Sequence, residues 1–504
     1  MNEQDRASAK SREAAQLNEA GEQCFTAGDF SGALQHFHQA LILSPQDALT
    51  LNNIGVVLSK TGNSEKAFHI LAQANATWPQ DGRVLSNFMQ VASIGQRLPE
   101  MMPRIYSYLA ENYDEGVVAS FIDNRTSLPK ESRRHHQPLQ KRLVVFVANK
   151  PISREAKLAF GLKRAGFDVV LICREEPNFT AADYFSGVHR YRTSDEALAM
   201  ALSYNPWVYH IFANWNYEMP ALFIRKRPGT IVLDDYDVMA GMVKKDFVHR
   251  TYPGNLALER FCLDNADGLC CRSLEQRYGR RFLGYRFRGK VLFLTDCCWA
   301  STEEPPLQVD KIDDGSIHVV YSGNMSPDIT GPYNYHFDLA ALLSKNRIHY
   351  HIYPFSTWHL TSFVPHLNAH MAANGGDTAY VHIHQPVPSD RLIGEIARYH
   401  YGVHLMWPNP RSRETDFPYE QRGFDYGSSN KIFDYIDARL SILVHRGRLQ
   451  RFLVERYRNG KAIASLEDVL VTAVPKPPRV PKSYQLDANV QRLIRFYRSL
   501  NPAA

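Results

Sequence analysis

Several classes of protein are excluded by what this 504-residue sequence lacks. No apolar run approaches the roughly 20 residues that a helix needs to cross a bilayer. The polar start MNEQDRASAKSREAAQ has no apolar core of the kind found in signal peptides. The seven cysteines form no CxxC pair, so we expect no zinc site but reduced thiols in a cytoplasmic protein. No GxGxxG motif follows the first strand of the α/β region, which argues against a nicotinamide or flavin enzyme.

The composition is typical of a globular chain with several domains. Hydrophobic residues make up 44% of the sequence and charged residues 22%. A chain of this length is expected to form about three to four domains. The formal net charge of +6 is small for the length, so it favours anionic ligands without predicting a nucleic-acid-binding protein.

The first hundred residues contain an internal repeat with a spacing of 34 residues. The matched pairs are Gly21 and Gly55, Gly28 and Gly62, Ala33 and Ala67, Phe37 and Leu71, Ala40 and Ala74, and Pro45 and Pro79. This pattern resembles tetratricopeptide repeats. Two units are predicted at 14–47 and 48–81, and a third at 81–112 has Met89 in the glycine position. The resemblance implies a repeat domain over 1–130 whose groove docks a protein; the alternative is a helical stack without a partner.

After a basic linker at 131–142, apolar strands alternate with amphipathic helices, which predicts parallel sheets covered on both faces. The strands LVVFVA, DVVLIC, WVYHIFA, TIVLDD and GLCC predict a Rossmann-like half over 143–305. The strands SIHVVYSG, IHYHIYPF, TAYVHIHQPV and YGVHLMW predict a second half over 306–474. Residues 475–504 are predicted to form a linker and a last helix. Ligands bind such sheets at the carboxyl ends of the strands, so we expect a site in the cleft between the halves.

Four stretches of this region resemble the GT-B glycosyltransferases, in particular the large group that uses nucleotide sugars and retains anomeric configuration. They are ADGLCCRS, VVYSGNM, VHIHQPVPSDRLIGEIARYHYGVHL and SSNKIFDYIDARLSIL, and the resemblance covers residues 143 to about 500. It implies two facing α/β halves. It also implies transfer of a sugar from a nucleotide sugar, without a metal ion or other cofactor.

The resemblance places the donor diphosphate at the start of a helix in the second half. Ser429, Asn430 and Lys431 would lie beside the diphosphate, because the unpaired N–H groups of a helix N-terminus attract phosphate. Asp434, one turn later, would hold the ribose hydroxyls. The alternative is that Ser429 or Asn430 is an ordinary helix N-cap.

The resemblance also assigns residues at the ends of two other strands. Gly323, with Asn324 beside it, would let the backbone approach the phosphates. The wall of the base pocket would be formed by His384, Gln385 and Pro386. Members of the family usually have Arg or Lys shortly after the glycine, but SGNMSPDITGPYNYH has neither. Lys431, Arg411 or Arg413 could supply that charge.

The candidate catalytic residues lie in the first half, on the acceptor side. NPWVYHIFANW, with His210, resembles a stretch of the family in which a histidine ends a strand, and IVLDDYDV, with Asp235 and Asp237, resembles a D-x-H-D segment. The alternative for His210 is a hydrogen-bonded imidazole in the core. The carboxylates of 234, 235 and 237 have a spacing that can bind a divalent ion. GT-B enzymes generally work without one, so we predict no metal and expect Asp235 or Asp237 to contact an acceptor hydroxyl or to cap a helix.

The predicted function is transfer of a sugar to a protein or glycan, with the repeats docking the acceptor or a partner in surface-polysaccharide assembly. Two alternatives remain open. One is a repeat-bearing scaffold with an inactive GT-B domain, and the other is a sugar-nucleotide epimerase on the same fold. The layout also resembles O-GlcNAc-type protein glycosyltransferases, by architecture only. No nucleic acid is expected as a partner, and peripheral contact with a membrane is left open.

Overall fold

The computed structural model describes residues 3–126, 138–301, 309–325, 335–405, 426–445 and 447–501. The chain forms two compact units, Met1–Lys130 with His249–Phe261 and Glu131–Val248 with Cys262–Ala504. Residues 249–261, which the sequence prediction assigned to the first half, therefore group with the repeats. Most of the predicted linker 131–142 lies outside the described residues, and 140–142 belong to the first strand. Among the described residues, no helix is both long and apolar enough to span a membrane.

The predicted repeat region is all-helical. Its helices are α1 (Glu3–Thr26), α2 (Phe30–Leu43), α3 (Ala48–Lys60), α4 (Ser64–Thr77), α5 (Gly82–Ile94), α6 (Leu98–Glu111) and α7 (Glu115–Arg125). Gly21 and Gly55 allow close packing, since a Cβ on either would lie 2.5 Å from the side chain of Phe37 or Leu71, respectively. Met89 takes the glycine position in the third unit and is fully buried. The 34-residue pattern therefore predicted real helix contacts.

The first α/β half is a parallel sheet with the order β3-β2-β1-β4-β5-β6-β7. Its strands are β1 (Gln140–Ala148), β2 (Asp168–Cys173), β3 (Gly187–Arg190), β4 (Pro206–Ala213), β5 (Ile231–Asp235), β6 (Gly268–Cys271) and β7 (Lys290–Phe293). The helices that follow β1 to β6 are α8 (Ser153–Arg164), α9 (Ala181–Tyr184), α10 (Ser194–Leu202), α11 (Glu218–Lys226), α12 (Met239–Met242), α13 (Lys245–Thr251), α14 (Asn255–Asn265) and α15 (Glu275–Phe282). Every residue of β4 is buried, which explains its continuous apolar run.

The second half repeats this topology, with the order β10-β9-β8-β11-β12-β13 and parallel pairing throughout. Its strands are β8 (His318–Gly323), β9 (His349–Pro354), β10 (Val381–Ile383), β11 (Tyr401–His404), β12 (Ser441–His445) and β13 (Gly460–Ile463). Its helices are α16 (His336–Lys345), α17 (Thr357–Ala373), α18 (Leu392–Ile396), α19 (Asn430–Asp437) and α20 (Arg448–Glu455). Short 3₁₀ turns occur at Thr378–Tyr380, Glu467–Val469 and Lys482–Tyr484.

The last helix, α21 (Leu486–Leu500), returns to the first half. Its buried residues Leu486, Val490 and Leu493 join the core of that half. Gly161 on α8 makes this packing possible, since a Cβ there would lie 2.3 Å from the side chain of Val490. The C-terminal segment thus ties the two halves together.

Two Rossmann-like sheets of the same strand order, joined by a returning C-terminal helix and preceded by helical repeats, form the GT-B architecture that the sequence predicted. In each sheet the strand order reverses between the first and the fourth strand, at β1/β4 and at β8/β11. Crevices outside the carboxyl ends at such reversals are the usual ligand sites of open α/β sheets.

Candidate functional site

A cavity of about 870 Å³ lies between the two halves, at the carboxyl ends of both sheets. The first half contributes residues that follow β1, β4, β5 and β6, namely Lys150, Ser153, Asn214, Trp215, Asp237, Arg272 and Glu275. The second half contributes the ends of β8, β9 and β11 and the start of α19, including Gly323, Asn324, Pro354, Phe355, His404, Ser429, Asn430, Lys431 and Asp434. Six of the predicted donor residues therefore meet in one place.

A second depression, of about 960 Å³, lies at the opposite ends of β5 to β7. Its cationic side chains already have partners. Arg227 forms an ion pair with Asp267 at 2.8 Å, and the Lys290 ammonium donates to the carbonyl of Ser499 at 2.5 Å. We therefore place the candidate site in the cavity between the halves, where the topology also predicts it.

The start of α19 is held by hydrogen bonds to the first half. Ser429 is its N-cap and accepts from the backbone N–H of Lys431 at 3.4 Å, as the capping alternative predicted. The Asn430 amide donates to the hydroxyl of Ser153 at 3.4 Å and accepts from Arg272 at 3.1 Å. The Ser428 hydroxyl donates to the carbonyl of Arg272 at 3.1 Å. The helix N-terminus is thus fixed at the cavity wall.

Gly323 makes room for Lys431. Its φ of 142° lies in a region that side chains other than glycine rarely adopt, and a Cβ there would lie 2.2 Å from Cε of Lys431. The Lys431 side chain therefore lies against the turn at which the family resemblance placed the donor phosphates. Burial lowers the pKa of Lys431 to about 8, with Asp434 opposing the shift and Arg272 adding to it. Lys431 is mostly protonated at neutral pH and readily loses its proton above it.

Arg272 is the main residue that sequence reasoning missed. It directly follows β6 and donates to the carbonyl of Tyr236 at 2.7 Å, to Asp237 at 2.6 Å and to Asn430 at 3.1 Å. Burial alone would lower the pKa of Arg272, but Asp237 and Asp296 raise it above its usual value. With Lys150 it supplies from the first half the positive charge that is absent after Gly323. The sequence did contain one indication of its role, because Arg272 stands at the end of a predicted strand in the stretch ADGLCCRS. Arg411 and Arg413 lie outside the described residues.

Asp434, predicted to hold ribose hydroxyls, lines the cavity but already has a partner. The ammonium of Lys157, on α8 of the first half, donates to its carboxylate at 2.7 Å. Burial alone would lower the pKa of Lys157, but Asp434 and Asp437 raise it above its usual value. A ligand hydroxyl at Asp434 must therefore share the carboxylate with Lys157.

His210 lies in the core and not on the cavity wall, contrary to its prediction as a catalytic residue. It is 0% exposed. Its Nε2 lies 3.1 Å from Asp234, and its Nδ1 lies against the hydroxyl of Tyr497 on α21. Burial lowers its pKa, against the opposing hydrogen bond to Asp234. Asp234 is also bound by Arg154, at 2.9 Å, so the cluster is an internal polar network of the kind that the alternative interpretation described.

Of the other predicted residues, Asp237 lines the cavity and the rest do not. Asp237 lines the cavity, whereas Asp235 is buried and accepts from the hydroxyl of Tyr217 at 2.8 Å. His384, predicted to form the base-pocket wall, stacks on Tyr353 with ring centres 4.2 Å apart, and it is Tyr353 that lines the cavity. The lining includes neither Gln385 nor Pro386. The described lining of the cavity therefore contains none of the three residues predicted for the base pocket.

Glu275 is a further cavity residue that the sequence analysis did not single out. One carboxyl oxygen accepts from the backbone N–H of Val238 at 2.7 Å. Burial, with a contribution from Asp237, raises its pKa well above the usual range. The Glu275 carboxyl therefore keeps its proton to a higher pH than an exposed glutamate does.

Neither a family model nor a curated protein matches the sequence. Among solved structures, a mutant O-GlcNAc transferase of Thermobaculum terrenum is 12% identical, with 99% of this chain and 95% of that chain covered and a TM-score of 0.40. Anabaena HepE in complex with UDP-glucose is 13% identical, with coverages of 71% and 99% and a TM-score of 0.49. UDP-GlcNAc 2-epimerase from Neisseria meningitidis bound to UDP-GlcNAc is 9% identical, with coverages of 71% and 100% and a TM-score of 0.42. At these identities and scores the likeness assigns no activity to this chain.

Proposed function

We propose that this protein is a glycosyltransferase that binds a nucleotide sugar in the cavity between its two halves. The observation that carries the proposal is the meeting of Lys431, Arg272 and the N-terminus of α19 in one cavity at the carboxyl ends of both sheets. Helix N–H groups together with cationic side chains are the groups that bind a diphosphate. The cavity volume of about 870 Å³ is in the range of pockets that enclose a small-molecule ligand.

The donor is proposed to lie along the second half. Its diphosphate would contact Lys431 and the turn at Gly323, and its ribose hydroxyls would reach Asp434 beside Lys157. The acceptor would enter from the first half, where Asp237 is held by Arg272. In this arrangement the cationic side chains contact the diphosphate, and the Asp237 carboxylate lies on the side from which the acceptor hydroxyl enters.

Departure of the nucleotide diphosphate is the step that these groups would assist. Negative charge develops on the leaving oxygen, and preorganised N–H groups and cations in a cavity with little water stabilise it. We propose that this occurs without a metal ion. Retention of anomeric configuration is proposed from the sequence resemblance alone.

One observation favours the inactive-scaffold alternative. The two carboxylates best placed for a ligand, Asp434 and Asp237, are both bound by cations of the protein, Lys157 and Arg272. If these paired carboxylates do not also accept hydrogen bonds from a ligand, the cavity cannot bind a donor through them.

Nucleotide binding separates these functions first. The protein is titrated calorimetrically with UDP, GDP and CMP and with their sugars. Lys431→Ala should weaken binding by about 1.5–3 kcal/mol, because it removes a charged hydrogen-bond partner. Lys461→Ala, at an exposed lysine on the edge strand β13, is the matched control and should bind normally. The absence of binding by the unchanged protein would favour the scaffold.

Turnover of a bound donor then distinguishes the enzymes. Sugar release or transfer that requires an acceptor supports the transferase, and interconversion of donor sugars supports the epimerase. The same assay is repeated in EDTA. Loss of turnover that manganese or magnesium restores would contradict the proposed metal independence.

We further propose that the repeats dock a protein, either the acceptor or a partner in glycan assembly. The support is the stack of helical repeats, a form that presents extended binding surfaces. Deleting residues 1–130 should impair modification of the natural acceptor and spare nucleotide binding, which also controls for folding. Equal modification by the full and the shortened chain, over a range of acceptor concentrations, would contradict docking.

A further inference from the structure

His404, the last residue of β11, is a cavity-lining side chain to which the predicted donor site gives no role. It is only 6% exposed, and neither ring nitrogen has a hydrogen-bond partner among the described residues. The other cavity imidazole differs, since Nδ1 of His336 lies 2.8 Å from the hydroxyl of Tyr350. Buried polar groups are rarely left without partners, so His404 is a group for which a ligand can supply them.

The charge state of His404 limits what that ligand is. Burial, followed by the neighbouring basic side chains, lowers its pKa well below the usual range. The residues that act in this way are Lys431, His336, His445 and Arg272. At neutral pH the ring is therefore uncharged, and it offers one N–H donor and one nitrogen acceptor.

A phosphate oxygen can only accept hydrogen bonds at neutral pH, and Lys431 and Arg272 are the cations that suit it. A hydroxyl both donates and accepts, so it can pair with either nitrogen of a neutral imidazole. β11 pairs with β8, the strand that ends at Gly323, so His404 lies at the same end of the sheet as the proposed diphosphate site. Asp434 lies one turn inside α19, where the ribose is proposed.

We propose that His404 binds a hydroxyl group of the transferred sugar, and so helps to determine which nucleotide sugars the protein accepts. This inference rests on the proposed function. It assigns the sugar end of the donor to the carboxyl end of β11 and the nucleotide end to α19. A residue in this role contributes nothing to the binding of the free nucleotide.

The test compares two ligands on His404→Phe, which keeps an aromatic ring and removes both nitrogens. Calorimetric titration measures the dissociation constants of a nucleoside diphosphate and of the matching nucleotide sugar. We expect the first to stay within about twofold and the second to rise about tenfold, the effect of one or two lost hydrogen bonds. His404→Gln, which still donates and accepts, should recover part of the loss.

A series of donors that each lack one sugar hydroxyl completes the test. For the donor that lacks the contacted hydroxyl, the unchanged protein and His404→Phe should bind equally well, which a purely structural role of His404 does not predict. Equal weakening of both ligands, or weakening of neither, would overturn the assignment of His404 while leaving nucleotide binding intact. If the unchanged protein binds no nucleotide, the proposed function itself fails, and the assignment fails with it.

Discussion

The buried ion pair between Lys157 and Asp434 is expected to stabilise the contact between the two halves. The Lys157 and Asp434 side chains are 2% and 10% exposed, and their charged atoms lie 2.7 Å apart. Removing one partner of a buried pair leaves an unpaired charge and costs about 3–5 kcal/mol. Asp434→Asn leaves the ammonium of Lys157 buried beside Asp437 alone, so we expect the free energy of unfolding to fall by about 3 kcal/mol.

Lys157→Met should be less damaging than Asp434→Asn. The remaining carboxylate lies at the cavity wall, where water and Lys431 can partly replace the lost ammonium. The double variant removes both charges, so its loss should fall short of the sum of the two single losses by about 1.5 kcal/mol or more. The two single effects should therefore not be additive.

Urea unfolding at pH 7 measures these changes in the free energy of unfolding. The transition to be analysed is that of the compact unit that contains both α/β halves, Glu131–Val248 with Cys262–Ala504. Lys163→Met, at a lysine on the same helix whose bond to the carbonyl of Asp183 is exposed, is the control and should change stability by no more than about 0.5 kcal/mol. Nucleotide titration adds a second readout, since Asp434→Asn should lose affinity and Lys157→Met should keep it. Strictly additive losses, or equal nucleotide affinity in both single variants, would refute the reasoning.

Three further predictions concern the cavity and the second sheet. The pKa of Lys431 is about 8 in the protein, so its ammonium loses its charge as the pH rises through 8. Affinity for a nucleotide sugar should therefore fall over this range. Titrations between pH 6.5 and 9 should show this dependence in the unchanged protein but not in Lys431→Ala. Gly323→Ala should cost about 1–3 kcal/mol of stability through backbone strain and should displace Lys431, so that nucleotide affinity falls while circular dichroism stays native. Burial, aided by neighbouring imidazoles, lowers the pKa of His351 to about 2 and of His384 to about 4. Below pH 6.5 the unfolded chain therefore binds more protons than the folded protein, and the free energy of unfolding should fall as the pH drops from about 6.5 towards 4. An unfolding midpoint that does not change over this range would contradict the prediction.

Local sequence patterns were sufficient for the repeats and for the class of the α/β halves. A 34-residue spacing places the same side chains in the same contacts of each helical pair, so Gly21 and Gly55 could be read directly as packing positions. Continuous apolar strands such as WVYHIFA occur only where helices cover both faces of a sheet, and every residue of β4 is indeed buried. The stretch SSNKIFDYIDA likewise marked a capped helix start, and Ser429 caps α19.

Long-range contacts could not be derived in this way. Lys157 and Asp434 are 277 positions apart in the sequence, and no local pattern links a lysine inside an amphipathic helix to a carboxylate in the other half. Arg272 was visible as a basic residue at a strand end, but its bonds to Asp237 and Asn430 depend on how the halves meet. His210 was misassigned for the same reason, because its partner Tyr497 comes from the last helix.

The sequence by itself determined most of the strands and helices, because hydrophobic periodicity and capping act over a few neighbouring residues. It also predicted where a site would lie, since parallel sheets of this order bind ligands at the carboxyl ends of their strands. Only the tertiary structure decided which charged groups share the cavity, which of them are already paired, and that His404 lies there without a partner among the described residues. The physical reason is that burial and the pKa shifts that follow from it depend on the summed surroundings of a side chain, and in this protein those surroundings come from both halves.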